Sequence, residues 1–456
     1  MMNKIRNTVK WAMALLLLPA AGMAQRAADT SRAPQYHEFS IQQAVDYAAK
    51  NNVQVKNALI DVQVQQQTNR EVTGSAYPQI TGSGSLVYNA KIPVSLVPAE
   101  FFGGQQGEFA EVAFGLKWNA TYGASFTQTL FDGQVFTGLR ARGTLIDYQL
   151  KNVEVTEQMI RTNIYKVYYQ LVVSKTQVEL IDSNISRIEK LRRDTRIMYD
   201  NGFSEKLDVD RTEVQLANLM TERTNAINQI NNGYLALKVL LGMPMRDSLT
   251  LTDTLNDQQI ADGVLEASQF SYDQRPDFQA ANLGVKLREF DVQRYRLSKI
   301  PTLSLSGYYN RNAQRDEFDI FKGNRNWFNI SAFTLDLRIP IFTGFAANAR
   351  IARARLEEQR SLNLRDQLKL QIDSDVQTAR NDFAAAINNL DYQKKNMGLA
   401  ENVFNQTKKK FEVGTGSQTE INTAQSDLKL AQTNYINALY NAIIARVDFL
   451  KATGKL

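Results

Sequence analysis

The sequence predicts a mainly α-helical chain with a membrane β element: an internally duplicated α-helical barrel of long coiled-coil hairpins, with four β-strands per chain contributing to a trimeric twelve-stranded barrel. Three observations predict it. The chain is written twice, each copy holds a long heptad-patterned stretch, and each copy carries two segments of alternating apolar and polar residues. Phe131-Asp132-Gly133 recurs as Phe342-Thr343-Gly344, Tyr199-Asp200-Asn201-Gly202 as Phe411-Glu412-Val413-Gly414, and Leu241-Gly242 as Thr453-Gly454, with glycine offsets of 211, 212 and 212. Asn52-Val53 stands 26 residues before Pro78, as Arg275-Pro276 stands 26 before Pro301. A period this long is outside the range of short-repeat solenoids and points to one pseudosymmetric body.

Residues 1–24 carry Lys4, Arg6 and Lys10, then the apolar stretch Trp11 to Leu18, then Gly22 and Ala24. This is the pattern of a secretory signal peptide cut after Ala24, and its apolar run is short of the roughly 20 residues a spanning helix needs. Cleavage lowers the formal charge from +6 to +3, which implies no nucleic-acid partner. The absence of Cys from an exported chain excludes disulfides and a lipid anchor on an N-terminal cysteine, so stability rests on packing and assembly.

The order of elements follows. Repeat one, residues 25–242, holds an entry helix, strands near 77–90 and 112–131 joined by a long polar loop near 91–111, and a helical hairpin over 137–242. An inter-repeat segment spans 243–270. Repeat two, residues 271–456, has its entry helix, strands near 301–311 and 328–342 joined by a polar loop, and a hairpin over 346–452. In the second copy Leu303, Leu305, Gly307 and Tyr309 alternate with Thr302, Ser304, Ser306 and Tyr308, and Phe333, Leu335, Leu337 and Ile339 alternate with Thr334, Asp336 and Arg338. That period of two fits a membrane barrel strand and equally a half-buried soluble sheet.

The long helices are read from sevens. Residues 137–200 contain no proline and place Ile160, Ile164, Val167, Leu171, Val178, Ile181, Ile185 and Ile188 in alternating fours and threes, with a gap at Ser174. The second copy has Val376, Phe383, Leu390, Met397, Phe404 and Phe411 at intervals of seven, and five of six equivalents keep the seam in the first, Arg192 being the exception. This is a coiled-coil seam, and residues 346–412 predict a helix roughly 100 Å long. After a short turn, the returning arm places Ala424, Ala431, Ala438 and Ala445 seven apart beside Ile421, Leu428 and Tyr435, so each arm pairs antiparallel and packs on two sides, as in a closed ring.

Four strands cannot close a barrel, and an open edge is not tolerated in lipid. Two chains would give eight strands and a bore filled by side chains; three would give twelve and a lumen that the helical ring continues. That continuity favours the barrel over the soluble sheet.

These residues resemble the TolC-like outer-membrane efflux proteins. The resemblance runs from the entry helix near Ser40 to Gly454 and rests on the duplication, Phe342-Thr343-Gly344 between strand and helix, and Val413-Gly414-Thr415 at the hairpin turn. It implies a homotrimer in the outer membrane whose helical tunnel extends into the periplasm, with a belt at mid-height from the inter-repeat segment and the segments near the termini. It also implies docking of a periplasmic adaptor, partner of an inner-membrane pump, at Gly202, Phe203 and Ser204 in one tip and Gly414, Thr415 and Gly416 in the other. Asp208 and Glu420, six residues past the tip glycines, are the expected acidic pore constriction. The sequence departs from the family at Thr423, where a second acid is common, at Phe411, which lacks a latch tyrosine's hydroxyl, and at Gly416, which replaces a latch arginine.

The function expected is a passive exit duct of a tripartite efflux system. A duct for type I protein secretion shares the architecture, and a non-conducting trimeric coiled coil has no need of the four strands. No enzyme, metal or cofactor is expected: the chain has one histidine, His37, and no phosphate loop, nucleophile elbow or metal-ligand spacing. Asp373, Asp375, Arg192-Arg193 and Lys408-Lys409-Lys410 are read as solvated helix faces.

Overall fold

The computed structural model describes residues 33–254, 270–320, 322 and 326–456. The expected signal peptide at 1–24 and residues 255–269 of the inter-repeat segment lie outside the described residues. The first helix, α1 (Ile41–Asn51), starts at a capping box in which the Ser40 hydroxyl and the Gln43 side chain satisfy each other's backbone N–H groups. Asn52 ends it and caps the next, α2 (Val53–Gly74), by accepting from the N–H groups of Gln54 and Val55. Its amide also donates to the Leu240 carbonyl at 2.6 Å, at the far end of the repeat.

Pro78 then turns the chain into β2 (Gln79–Tyr88), while β1 (Tyr36–Phe39) precedes α1. The loop expected to be polar over 91–111 instead contains a hairpin, β3 (Val94–Pro98) against β4 (Phe109–Ala113), whose Leu96, Phe101, Phe102 and Phe109 are exposed. The single strand expected over 112–131 is therefore two, because the chain breaks at Gly115 (φ 121°) before β5 (Trp118–Phe131). Asp132 caps α3 (Gly133–Asp200), and α4 (Lys206–Leu241) returns alongside it. β6 (Ser248–Leu251) follows and pairs in parallel with β1, joining the inter-repeat segment to the start of the described chain at mid-height.

The second repeat restates this with α5 (Pro276–Leu297), β7 (Thr302–Arg315), β8 (Phe328–Arg338), α6 (Ala346–Glu412) and α7 (Gln418–Ala452). β8 stops at Arg338, short of the expected 342, just before Pro340, which has no N–H to give a ladder. Arg275, before α5, donates to the Ala452 carbonyl at 3.2 Å, the counterpart of the Asn52–Leu240 contact. In both copies a short helix and the end of the returning arm thus meet end to end beside one long helix.

The strands form one antiparallel sheet in the order β2-β5-β7-β8, and the helices nearest it follow the same order, α2-α3-α5-α6. Toward the turns the order becomes α4-α3-α7-α6. The core runs in clusters down this layered body. At mid-height Ala44, Val55, Ile164, Tyr168, Leu237, Leu241 and Leu251 are buried together. The Tyr168 hydroxyl donates to the Phe39 carbonyl at 2.9 Å and accepts from the Asp253 N–H, and burial pushes its pKa above the usual tyrosine range. No helix among the described residues is long and apolar enough to cross a membrane.

Candidate functional site: the two-faced sheet and the hairpin tips

The register of the sheet sorts its side chains. Ile80 pairs with Phe126, Phe126 with Gly307 and Gly307 with Phe333, while Leu305 pairs with Leu335 and Leu303 with Leu337. Directly opposed residues share a face, so these form an apolar surface across all four strands. The other face carries Thr81, Ser125, Tyr308 and Ala332 in one row, and Thr121 opposite Asn312. There Asn312 donates to the Thr121 hydroxyl at 2.9 Å and Ser306 to Asp336 at 3.2 Å. Phe333 and Leu335 are 80% and 62% exposed on the apolar face, an arrangement that costs free energy in water and none in hydrocarbon. Aromatic pairs bound the sheet at both ends: Tyr88–Trp118 and Tyr122–Trp327 away from the helices, Phe131–Phe136 and Phe342–Phe345 beside them. Among the described residues, the two outer strands, β2 and β8, each leave one edge unpaired.

The tips are two copies of one motif. At the end of α3, Gly202 (φ 77°) donates to Tyr199 O at 2.9 Å and Phe203 to Met198 O at 2.8 Å. At the end of α6, Gly414 (φ 79°) donates to Phe411 O at 3.0 Å and Thr415 to Lys410 O at 3.0 Å. Each is a Schellman motif, which needs a left-handed residue and so favours glycine. Phe203 is 79% exposed beyond the turn. A Cβ on Gly416 would lie 2.9 Å from Phe411 N, so this position is held to glycine by the turn itself.

The two acids occupy equivalent first-turn positions. Asp208 accepts from the Ser204 hydroxyl at 3.1 Å and lies 3.6 Å from Arg211. Glu420 lies 3.8 Å from Lys410, and its backbone N–H donates to the Ser417 cap. The two acids pair with different bases, Arg211 and Lys410, and what brings the hairpins together is the cluster of Ile188, Leu191, Leu216, Phe404, Ile421 and Leu428 beside them.

Several features were not visible as patterns. Ser174, a gap in the predicted seam, is buried, and so is Thr195, each a multiple of seven from the seam residues Ile181 and Ile188, and α7 packs against α3. That contact holds a polar layer: Asn184 donates to Gln432 at 3.2 Å and accepts from Gln425 at 2.9 Å and Arg187 at 2.7 Å. Burial lowers the Arg187 pKa, with Glu401 opposing the shift, and the guanidinium stands 5.9 Å from the Phe404 ring centre. Asp373 and Asp375, expected to be merely solvated, tie α6 to the residues that lead into α5. Tyr272 donates to Asp373 at 2.7 Å, and Asp375 lies 3.9 Å from Arg275.

Residues 268–455 match the outer membrane efflux protein family. The outer membrane protein TolC of Vibrio cholerae serotype O1 is 21% identical over 73% of this chain and 76% of its own length. The outer membrane efflux protein BepC of Brucella suis biovar 1 is 22% identical over 90% and 84%. In structure the chain is similar to CusC, with a TM-score of 0.74 at 16% identity, over 93% of this chain and 95% of that one. In sequence the chain is thus similar to outer membrane efflux proteins, and in fold it is similar to CusC along nearly its whole length.

Proposed function

We propose that the chain is the outer-membrane exit duct of a tripartite efflux system, a homotrimer that passively conducts substrate handed over by an inner-membrane pump through a periplasmic adaptor. The observation that carries this reading is the four-stranded sheet with one apolar face, one polar face and two unpaired edges, set in register with the helices beneath it. Closing β2 on β8 of a neighbour three times satisfies every edge, as lipid demands. The helical layer has matching edges. Leu356, Leu370, Tyr392, Leu399 and Val403 are exposed along one stripe of α6, and Val53, Ile60 and Val64 along one stripe of α2. Apolar stripes at both sides of one chain suit a ring of copies.

The polar face of the sheet then lines the pore and the helices continue it. The tips at Gly202, Phe203, Ser204, Gly414, Thr415 and Gly416 present reversed backbone and an exposed aromatic to an adaptor. Asp208 and Glu420 form the constriction above them.

The chain has no cysteine, so pairs of cysteines placed on β2 and β8 report their own disulfides. The mature protein in lipid is expected to give covalent dimers and trimers from such pairs, and to form discrete pores in planar bilayers. A stable detergent-solubilised monomer with its β signal intact would refute the shared barrel.

A further inference from the structure

A cavity of about 780 Å³ opens between α2, α3, α5 and α6, below the sheet. Its charge is lopsided. Arg142, Arg288, Arg294 and Arg365 line it, against Asp277 and Asp291. Both carboxylates are already engaged: Asp291 is shared by Arg288 at 3.3 Å and Arg294 at 3.5 Å, and Asp277 is 2.7 Å from Arg275, which is not part of the lining. Arg365 is held at 2.8 Å by Asp366, also outside the lining, so the excess positive charge rests on Arg142 and on the two arginines that share Asp291. Arg142 has no carboxylate within 4 Å among the described residues. It is fixed by donation to the Leu139 carbonyl and to the Thr73 hydroxyl, which holds it between α2 and α3.

The rest of the wall is largely apolar. Leu145, Tyr148, Leu287, Leu364 and Leu368 contribute, and Leu364 is 59% exposed. Fixed guanidinium groups above wet apolar surface favour a ligand with an anionic head and an apolar body, since the head meets charge-assisted donors and the body removes leucine surface from water. An amphipathic cation meets the same apolar wall and the wrong charge.

We infer that this cavity is a binding site for amphipathic anions. Binding stands on the cavity alone; that the site is a station on an export route rests on the duct reading. Gly284 provides the means to close it. The nearest atom to a Cβ placed there is Tyr148 Cε2 at 3.8 Å, so a larger side chain is accommodated at the backbone and its branches project into the cavity.

The test uses the mature protein in lipid nanodiscs and three matched probes: decanesulfonate, decyltrimethylammonium and inorganic sulfate. Decanesulfonate is expected to bind saturably, once per chain. Arg142→Gln combined with Arg365→Gln should weaken it at least tenfold, and Gly284→Leu should abolish it, while both variants keep the parent's melting temperature and oligomeric state. Sulfate should compete poorly and decyltrimethylammonium should not bind at the site. The inference is overturned if the cation binds as tightly as the anion, or if both variants bind decanesulfonate like the parent. Planar-bilayer recordings separate the two proposals: pores without saturable anion binding overturn the site and leave the duct, and binding without pores does the reverse.

Discussion

Helix α3 buries eighteen of its residues within the chain, whereas α6, the same element in the second repeat, buries seven. Length does not explain this, since the two span 68 and 67 residues. Position does. α3 has α2 and α5 on its two sides near the sheet and α4 and α7 near the tips, whereas α6 has α5 above and α7 below on one side only. Yet α6 keeps large apolar side chains on the other side, at Leu356, Leu370, Leu399 and Val403. A duplicated element with one apolar side left in water is what the proposed ring of copies would require of its second repeat.

The sharpest way to break that comparison is to place a charge on each side of α6. Leu390 is 7% exposed and packs against Ile436 and Leu439, so Leu390→Asp buries an unpaired carboxylate and is expected to destabilise the chain by about 3–5 kcal/mol or more. Met397, half-buried on the same row, should give an intermediate loss on Met397→Asp. Leu399 is 63% exposed, so Leu399→Asp should leave helix content intact and reduce trimer recovery in detergent. Thermal melts by circular dichroism and size exclusion separate the outcomes. If Leu399→Asp assembles like the parent, the open side of α6 is a water surface and the ring model fails there.

A second test asks what holds α3 against α7. Asn184→Ala removes the partner of both Gln425 and Gln432, leaving buried amides unsatisfied, and should cost about 1–3 kcal/mol. Adding Gln425→Leu and Gln432→Leu should recover part of that loss, because the two unsatisfied amides are gone and only the Arg187 N–H that donated to Asn184 is left without its acceptor. If the triple variant is no more stable than Asn184→Ala, the amides are not buried in the assembled protein.

The parts of this body that were legible are those repeated in local spacing. Sevens mark the seam at Phe383, Leu390 and Phe404, all buried, and paired glycines mark both tips. Polar residues at heptad positions were not legible as core: Ser174, Asn184, Gln425 and Gln432 look solvated one at a time, and only the α3–α7 contact turns them inward. The parallel pairing of β1 with β6 joins Tyr36 to Ser248 across most of a repeat, a separation no local pattern reports. The hairpin of β3 and β4 was hidden because Gly103, Gly104 and Glu108 read as loop, which they are, while the short strands on either side leave their apolar residues exposed. At the tips and the constriction the sequence supplied the positions through resemblance, and geometry added their partners.

A third prediction tests whether the exposed tip is a contact surface. Phe203 buries little, so Phe203→Asp should change the melting free energy by less than about 0.5 kcal/mol. Cross-linking to a periplasmic adaptor, the partner proposed above, should nevertheless fall, because an aromatic projecting past a Schellman turn contributes through apolar area at an interface. Unchanged cross-linking would make the tip a turn and nothing more.

The smallest expected effect is at the proposed constriction, where the two acids differ. Asp208 has 19% of its side chain exposed and is held by Ser204, whereas Glu420 has 53% exposed and only a 3.8 Å contact with Lys410. Three copies would bring six carboxylates toward the axis of the proposed ring and favour cations. Each is also close to a base, Arg211 or Lys410, and an exposed ion pair in water is worth little. Asp208→Asn with Glu420→Gln should therefore change cation preference by about 1 kcal/mol, the size of one unit-charge interaction at 4 Å in water, which is roughly fivefold. Asp208→Asn alone should account for more of it than Glu420→Gln alone, since the less exposed charge is less screened. Single-channel reversal potentials across a salt gradient measure both, and block by divalent cations from the tip side should weaken in parallel. Equal and negligible effects from the two single variants would show that Arg211 and Lys410 neutralise the pair locally, and would move the constriction elsewhere along the tunnel.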